Sequence, residues 1–496
     1  MNISLTIMIA FVVVCMYWAI KAGRGKNENM EEWALGGRGM GAIITFFLLA
    51  GEFFTAFSLT GLVGLAYNSG IATLYIMSYI SIACIIGYFL LPKIRRYGKA
   101  HKLISQGEFF EKKYASPFLG KLITIVGMIA IVPTIVMALK GLGLIVSVAS
   151  YGAISSATAI WVGSVIVVIY TLISGLHGSS RVALIKDILT FGVLLFLGLY
   201  FPFHYHDGIG SMIKEVAEVK PKVLLFPNTG LSLVWFISTI VLMSLGLYIW
   251  PYTFLSTYAA KSDKAIRKNT IIMPLYSLMQ LFSCFIGLAA ILTIPNLAGA
   301  ESDLALIQLV FQTFNPWFVG LIGAAGLLAS LVPCSVMLIT IGSMITSNIY
   351  MPLRPHTSSH KQMNIARSFA IVAALISLYL ALNSNGALVL LQLISYNFII
   401  QLFPALIFSL MKKNFVTKQG AISGIVIGLS LALFSAATDT TMAMLFPNLP
   451  SFILDINNGL YMLIINAIVT VVISLVTQNF VTQKSTKEND NLEVQL

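Results

Sequence analysis

The sequence predicts an all-α, polytopic membrane protein, and three observations support that prediction. The chain of 496 residues is 58% hydrophobic and only 10% charged, with a mean hydropathy of +0.91. A soluble globular protein carries about 25% charged residues, so this chain has too few to cover a water-exposed surface. Its apolar residues form runs as long as the roughly 20 residues that a helix needs to cross ~30 Å of hydrocarbon. A helix also satisfies its own backbone hydrogen bonds in lipid.

Hydropathy divides the chain into thirteen predicted spans, at about 20 residues per crossing. In chain order they cover approximately residues 3–22, 40–66, 71–91, 118–148, 153–174, 183–201, 233–257, 271–294, 317–349, 364–384, 386–410, 420–440 and 459–478. We expect residues 1–480 to form a single transmembrane domain and 481–496 a polar cytoplasmic tail. The first span should be retained, because no basic stretch precedes it and no small-residue cleavage site follows it. Residues 303–314 are expected to form a short amphipathic helix on the membrane surface.

Lysine and arginine residues predict the orientation, because positive charges favour the cytoplasmic side of a membrane. They concentrate in every second connection, namely 23–39, 92–117, 175–182, 258–270, 350–363, 411–419 and the tail. The alternate connections hold only Lys214, Lys220 and Lys222, all in one loop. We therefore expect the N-terminus outside, the C-terminus inside and a location in the cell's plasma (inner) membrane. The net charge of +12 has this explanation and does not indicate a nucleic-acid partner.

Several other function classes are disfavoured by the polar residues. The four cysteines, Cys15, Cys84, Cys284 and Cys334, lie inside apolar runs without the spacing of a disulfide framework or a zinc site. The six histidines fall in or beside loops, whereas a membrane enzyme would need a clustered His/Asp/Ser constellation. A channel would favour a continuous polar pore, whereas this sequence shows two interrupted helices instead. We predict no catalytic residues and no cofactor.

Charged side chains within spans are costly, so each one is a candidate for function. Glu52 lies about twelve residues into the second span, and Lys140 lies well inside the fourth. Lys186 and Asp187 begin the sixth. The alternatives are a solvated Glu52 near the interface and a Lys186–Asp187 pair at the inner interface, with the lysine reaching water.

Two spans are predicted to be broken helices. Residues 48–70 contain four glycines, including Gly51, and make a poor continuous helix. Residues 244–254 contain Gly246 and Pro251, and the proline removes a helix hydrogen bond. Broken helices in carriers expose backbone groups that bind ions and solutes near the membrane midplane, commonly at the interface of inverted repeats. The aromatic residues Tyr248, Trp250 and Tyr252 could line a small-solute pocket, although a plain proline kink is the alternative.

At these residues the chain resembles the sodium:solute symporter family over about residues 5–480. The motifs that carry the resemblance are LGGRGMG (35–41), GLAYNSG (64–70), SQGEFFEKKY (105–114), LKGLG (139–143), SGLHGSSRVALIKDILTF (174–191) and GLYIWPY (246–252). The resemblance implies thirteen spans with the N-terminus outside, and a leucine-transporter-like core of two inverted five-helix repeats built from spans 2–11. The segments GEFFTAF (51–57), Ile185-Lys186-Asp187 and 246–251 are most similar to bacterial monocarboxylate permeases.

The resemblance also implies where a coupling cation would bind, and the chain departs from that pattern. Sodium in such symporters is held by backbone carbonyls, which here would be those of Gly51, Phe54 and Ala329. The hydroxyl pair of span 9 falls on Val332 and Pro333, which offer no side-chain oxygen. A second cation site of some members would use Asp187 and Ser335.

Lys186 suggests another solution to the coupling. Some proton-coupled carriers with this core place a lysine ammonium where sodium would sit. The coupling cation is therefore expected to be either sodium or a proton, with Lys186 as the candidate proton carrier.

The expected function is cation-driven import of a small organic solute, with a monocarboxylate as the expected substrate. The alternative is a sodium symporter for an amino acid, pantothenate or another solute. The candidate substrate-binding residues are Glu52, Phe53, Thr55, Lys140, Gly246, Tyr248 and Trp250. The expected partners are this solute and the lipid bilayer, and we expect the protein to act as a monomer.

Overall fold

A computed structural model describes residues 2–384 and 387–478, and in these ranges the chain is a bundle of helices without a β-strand. The N-terminal helices are Ile3–Gly23 (α1), Met30–Leu35 (α2), Ala42–Phe53 (α3), Ala56–Leu59 (α4), Gly61–Ser69 (α5), Tyr75–Ala100 (α6), Gln106–Tyr114 (α7), Pro117–Ala149 (α8), Ser156–His206 (α9), Ile209–Val219 (α10), Leu233–Gly246 (α11) and Pro251–Ala259 (α12). The C-terminal helices are Asp263–Ser277 (α13), Met279–Thr293 (α14), Ala305–Thr313 (α15), Pro316–Ile345 (α16), Ser359–Asn383 (α17), Leu388–Ile399 (α18), Phe403–Ser409 (α19), Lys418–Thr438 (α20), Met442–Leu445 (α21), Ser451–Leu454 (α22) and Asn458–Thr477 (α23). The expected tail at 481–496 lies outside the described residues.

The described residues contain ten helices long and apolar enough to cross a membrane, or eleven when the bent pair α11–α12 counts as one span. Two of the ten are longer than one crossing requires: 56–100 has 45 residues and α9 has 51. At about 1.5 Å per residue, α9 is more than twice as long as a ~30 Å hydrocarbon core is thick. Dividing both, and pairing α3 with α4–α5, gives the thirteen expected spans.

The division of α9 occurs at Gly175, where the sequence predicts a loop from 175 to 182. That prediction is wrong, because residues 176–182 continue as helix after a single kink. Gly175 has φ 54° and ψ −156°, a conformation that favours glycine. The Trp33 indole nitrogen donates to the Thr171 carbonyl at 3.2 Å, and the Asn27 amide donates to the Ile173 carbonyl at 2.9 Å. Side chains of residues 27–33, which are distant in sequence, thus bind backbone carbonyls next to the kink.

The loop predicted at 92–117 also contains more helix than expected. Helix α6 extends to Ala100, and α7 follows at residues 106–114 with a capping box formed by Ser105 and Glu108. Helix α15 occupies most of the predicted surface helix at 303–314. Five of its nine residues are buried, so it packs into the protein.

Burial distinguishes the centre of the bundle from its edge. In the most apolar 18-residue window of 316–353, which contains α16, every residue is buried. The corresponding windows of α1, α20 and α23 are 28%, 39% and 33% buried, so these helices lie at the periphery. Both predicted helix breaks are confirmed: α3 ends before the non-helical Phe54, and α11 and α12 meet at an angle of 49°. These breaks place backbone groups inside the bundle.

Candidate substrate and coupling site

The break after α3 meets the buried lysine of α9. The Lys186 ammonium donates to the Phe54 carbonyl at 2.6 Å and to the Gly51 carbonyl at 3.3 Å. It also pairs with Asp187 Oδ1 at 2.5 Å, and both side chains are fully buried. Helix α3 cannot satisfy these carbonyls itself, because its backbone leaves the helical conformation at Phe54. A positive charge therefore occupies the carbonyl end of the broken helix.

This arrangement does not fit a sodium ion held by the same carbonyls. Val332 and Pro333 are buried on α16 and carry no side-chain oxygen. Sodium, like other hard cations, needs several oxygen ligands, and the Lys186 ammonium already contacts two of the candidate carbonyls. Within 2–384 and 387–478, no cluster of three or more His, Cys, Asp or Glu residues could hold a metal ion.

The residues expected to form a second cation site lie in separate contacts. The Asp187 carboxylate faces Lys186, and the Asp187 carbonyl accepts from the Tyr276 hydroxyl at 3.1 Å. Ser335 of α16 instead lies 2.8 Å from the Ser179 hydroxyl of α9. Ala329 is fully buried on α16. In this structure Lys186 brings together Gly51, Phe54 and Asp187, whereas Ser335 is bound elsewhere.

Glu52 lies beside this cluster and faces a cavity. It is 3% exposed, and its Oε1 accepts a hydrogen bond from Ser256 of α12. Among the described residues its second oxygen, Oε2, has no hydrogen-bond partner. The carboxylate thus joins the two broken helices and keeps one free oxygen.

The cavity has a volume of about 30 Å³, which is room for about two water molecules. It lies between the two breaks and is lined by side chains of α3, α4, α6, α8, α11, α12, α14 and α18, and of the short segments between them. Its lining consists of Glu52, Phe53, Thr55, Phe57, Tyr75, Ile76, Tyr79, Ile80, Thr134, Met137, Met243, Leu247, Tyr252, Gln280, Gln392 and Tyr396. A carboxylate, four phenols and two amides thus surround a small space.

Three of the predicted substrate residues, Glu52, Phe53 and Thr55, line this cavity. Three other predicted residues, Trp250, Tyr248 and Gly246, pack against the lining residues from outside the cavity. The Trp250 ring stacks on Tyr252 at 5.2 Å between centroids, and the Tyr248 ring contacts Phe53 edge-on at 5.9 Å. Gly246 allows Tyr396 to pack closely, since a Cβ at this position would lie 3.1 Å from that ring. These three residues position the lining and do not belong to it.

Sequence reasoning missed most of the cavity lining. Gln280 and Gln392 were detectable as polar residues inside apolar spans, a pattern that commonly marks a solute pathway. Tyr75, Tyr79 and Tyr396 gave no comparable signal, because aromatic residues are ordinary in membrane helices.

Lys140 lies away from the cavity, toward the end of α8 that meets the segment 299–304. Its ammonium donates to the Ser384 carbonyl at 3.0 Å. The neighbouring Asp303 accepts from the Leu388 amide at 3.1 Å. Burial raises the pKa of Asp303 to about 6, although the Lys140 charge acts in the opposite direction. The cavity-lining residues of α8 are Thr134 and Met137. Lys140 does not line the cavity and belongs to a separate cluster with Asp303 and Ser384.

Two broken helices that enclose a small polar cavity within a multi-span bundle define a membrane carrier. The chain belongs to the sodium:solute symporter family, whose model matches residues 33–428. It is therefore a multi-pass integral membrane protein of the symporter class.

Relatives agree with this assignment. An uncharacterized symporter of Bacillus subtilis (strain 168), YhjB, is 45% identical over 96% of this chain and 98% of its own length. A monocarboxylate transport permease protein of Rhizobium johnstonii is 26% identical over 86% of this chain and 87% of its own. The fold matches that of a Na⁺-coupled sialic acid symporter with a TM-score of 0.79, covering 97% of this chain and 98% of that one at 17% identity. This match supports the expected inverted-repeat fold.

Proposed function

We propose that this protein imports a small carboxylate-bearing solute, with a monocarboxylate as the expected substrate, and that a cation gradient drives the transport. The observation that carries the proposal is the small polar cavity between two broken helices, beside a buried charge cluster. The similarity to a monocarboxylate permease supports the substrate class. The proposed role is transport and not catalysis. We also propose that a single chain is the transporting unit.

An amino acid is the alternative substrate, and one observation favours it. Glu52 is the charged residue of the cavity lining, and its Oε2 has no partner among the described side chains. A carboxylate there would repel a simple organic anion, whereas it would attract a protonated amine. A zwitterion would satisfy Glu52 and still carry a carboxylate. Competition among solutes distinguishes the two.

The proposed coupling ion is a proton, carried by Lys186. Its ammonium contacts the carbonyls of Gly51 and Phe54, which the family resemblance assigns to sodium. A protonated lysine supplies the charge of a cation without the missing hydroxyls of span 9. Uptake would then bind a proton on Lys186 from outside and release it inside. Sodium coupling, usual in the family, is the competing alternative.

Transport by the purified protein in proteoliposomes tests both parts. Counterflow with radiolabelled lactate, pyruvate, acetate and proline identifies the substrate class. The transported solute is then supplied with an inward pH gradient without sodium, or with a sodium gradient at equal pH. We expect accumulation with the pH gradient alone, and its loss in Lys186→Ala. Uptake that follows only the sodium gradient would overturn the proton proposal.

The lysine variant needs two controls. Removing Lys186 leaves Asp187 as an uncompensated buried charge, which can prevent folding. The double variant Lys186→Met with Asp187→Asn removes both charges and should fold, exchange substrate in counterflow and fail to accumulate it with pH. Lys268→Ala removes an exposed lysine of α13 and should behave as wild type. Transport of an uncharged sugar, with all four probes inactive, would contradict the substrate proposal.

A further inference from the structure

Helix α7 connects three parts of the bundle at the face that carries Arg95 and Asp263, which we call the basic face. At its start, Ser105 bonds to Asn348, one turn beyond α16, at 2.6 Å. At its end, the Tyr114 hydroxyl donates to the Ala405 carbonyl of α19 at 2.7 Å. Both contacts join short segments outside the long helices. The third contact is made by Gln106 and reaches the break between α11 and α12.

The Gln106 side chain is fully buried, and its amide nitrogen donates to the Ile249 carbonyl at 2.5 Å. Among the described residues, the amide oxygen of Gln106 has no hydrogen-bond partner. Burying an amide that is only half satisfied is costly, so packing alone does not explain glutamine at this position. An apolar side chain of the same length would fill the space without that cost.

Ile249 has a free carbonyl because of the helix break. The next helix begins at Pro251, which has no N–H, after Trp250 adopts an extended ψ of 135°. The amides of Thr253 and Phe254 both donate to the Trp250 carbonyl, at 3.0 and 3.3 Å. The Ile249 carbonyl is therefore offered to a side chain, and Gln106 binds it.

The residues on both sides of this carbonyl shape the cavity. Leu247 lies two positions before Ile249, Tyr252 lies three positions after it, and both line the cavity. Trp250 stacks on Tyr252 and contacts Tyr396 edge-on at 5.4 Å. A displacement of the Ile249 carbonyl would move both lining residues.

We propose that Gln106 is a positioning residue of the cavity: from α7 it holds the Ile249 carbonyl and so fixes the second helix break against the basic face. Through the Ser105–Asn348 contact, the same helix end also ties this break to the end of α16. Opening of the cavity toward the basic face requires the hydrogen bond from Gln106 to the Ile249 carbonyl to lengthen or break. Removing the Gln106 donor therefore favours that opening.

The test measures cavity accessibility and does not depend on the substrate or on the proposed coupling ion. A reporter, Leu247→Cys, is introduced into a background in which the four native cysteines are alanine. Its reaction rate with a membrane-impermeant methanethiosulfonate is measured in vesicles that expose the basic face. Gln106→Met keeps the length of the side chain and removes the donor. Because a neutral hydrogen bond contributes modestly, we expect labelling to become about two- to tenfold faster.

Matched variants separate positioning from general stability. Tyr114→Phe removes the contact of α7 with α19 and should lower the melting temperature without changing the labelling rate. Gln106→Glu keeps the shape with an acceptor in place of the donor and should label at least as fast as Gln106→Met. If Gln106→Met does not fold, Gln106→Asn withdraws the amide by one methylene and takes its place. Unchanged labelling in the Gln106 variants, or equal acceleration in Tyr114→Phe, would overturn the proposal.

Discussion

Lys186 and Asp187 form a buried ion pair whose presence requires explanation. Taking two charges out of water costs several kcal/mol for each ion, and a well-packed apolar pair of similar size is often as stable or more so. The Lys186 ammonium offsets part of this cost by binding Phe54 and Gly51 carbonyls that α3 cannot satisfy. Helix α9 therefore carries a charge whose position depends on the shape of the break in its neighbour. This dependence can couple an ion to a conformational change.

Glu52→Gln tests the second buried carboxylate. Glutamine can still accept from Ser256, but it removes the negative charge that faces both the cavity and Lys186. A charge-assisted hydrogen bond contributes more than a neutral one, so we expect initial uptake to fall by about tenfold or more at unchanged membrane abundance. The measurement is initial uptake normalised to the amount of protein. Glu218→Gln, on the exposed face of α10, is the matched control and should transport normally. Normal transport kinetics in Glu52→Gln would show that transport does not need the Glu52 carboxylate.

Sequence reasoning found the charged residues of the site because charges are rare and costly in lipid. Glu52, Lys186 and Asp187 were identified on that basis alone. The same reasoning selected Lys140, which lies in a different cluster, because cost alone does not tell which cavity a side chain faces. Tyrosine hydroxyls such as those of Tyr79 and Tyr396 cost less and are ordinary in membrane helices, so their place in the lining could only be seen in three dimensions.

Helices α20 and α23 pack together through small residues and a ladder of polar side chains. Gly420, Gly424 and Gly428 face Ser474, Thr470 and Asn466. The Asn466 amide donates to the Gln401 carbonyl at 2.7 Å, and the Ser474 hydroxyl donates to the Thr470 carbonyl at 2.6 Å. In lipid such close contacts replace the hydrophobic effect, which is absent between helices. The glycines thus let the two peripheral helices pack closely against each other.

Gly424→Leu should disrupt this packing. A Cβ at Gly424 would collide with the Thr470 side chain and lie 2.9 Å from the Asn466 carbonyl oxygen. Overpacking of this kind costs about 1–3 kcal/mol, more than leucine gains over glycine as a helix former. We expect a lower melting temperature in detergent. The measurement is the amount of folded protein that remains, by size-exclusion chromatography, after heating to a series of temperatures. Ile427→Ala, at an exposed position of α20, should change it little, and equal stability of both variants would contradict this packing role.

The two helix breaks were predictable, whereas the kink in α9 was not. Gly246 and Pro251 mark one break, and the glycines of residues 48–70 mark the other, because these residues weaken a helix wherever they occur. Around Gly175 the residues SGLHGSS suggest a loop by composition. The helix nevertheless continues after one kinked residue, and Trp33 and Asn27, from a distant part of the chain, bind carbonyls just before the kink. Only local signals can be read from one sequence.

Polar contacts tie helices together on both faces of the bundle. On the basic face, the Met40 amide donates to the Ala259 carbonyl at 3.0 Å, and Arg95 pairs with Asp263 at 2.8 Å. On the opposite face, Asp303 and Ser384 hold the contacts with Leu388 and Lys140 described above. A cavity of about 30 Å³ is too small for an organic acid, so binding requires one set of contacts to open. Alternating access then follows from opening the two faces in turn.

The orientation of the two faces in the membrane is predicted from charge. The basic face carries most lysine and arginine residues, and the positive-inside rule then places it in the cytoplasm. Single cysteines introduced by Ser358→Cys and Glu301→Cys lie at exposed positions near opposite faces. Ser302, on the same face as Glu301, is also predicted to lie outside, but it would be a poor labelling position because it is 2% exposed and bonds to Asn68. In intact cells an impermeant thiol reagent should label position 301 and not 358, with 358 reacting only after the membrane is permeabilised. Labelling of position 358 in intact cells would reverse the orientation, and with it the direction in which Lys186 is proposed to carry its proton.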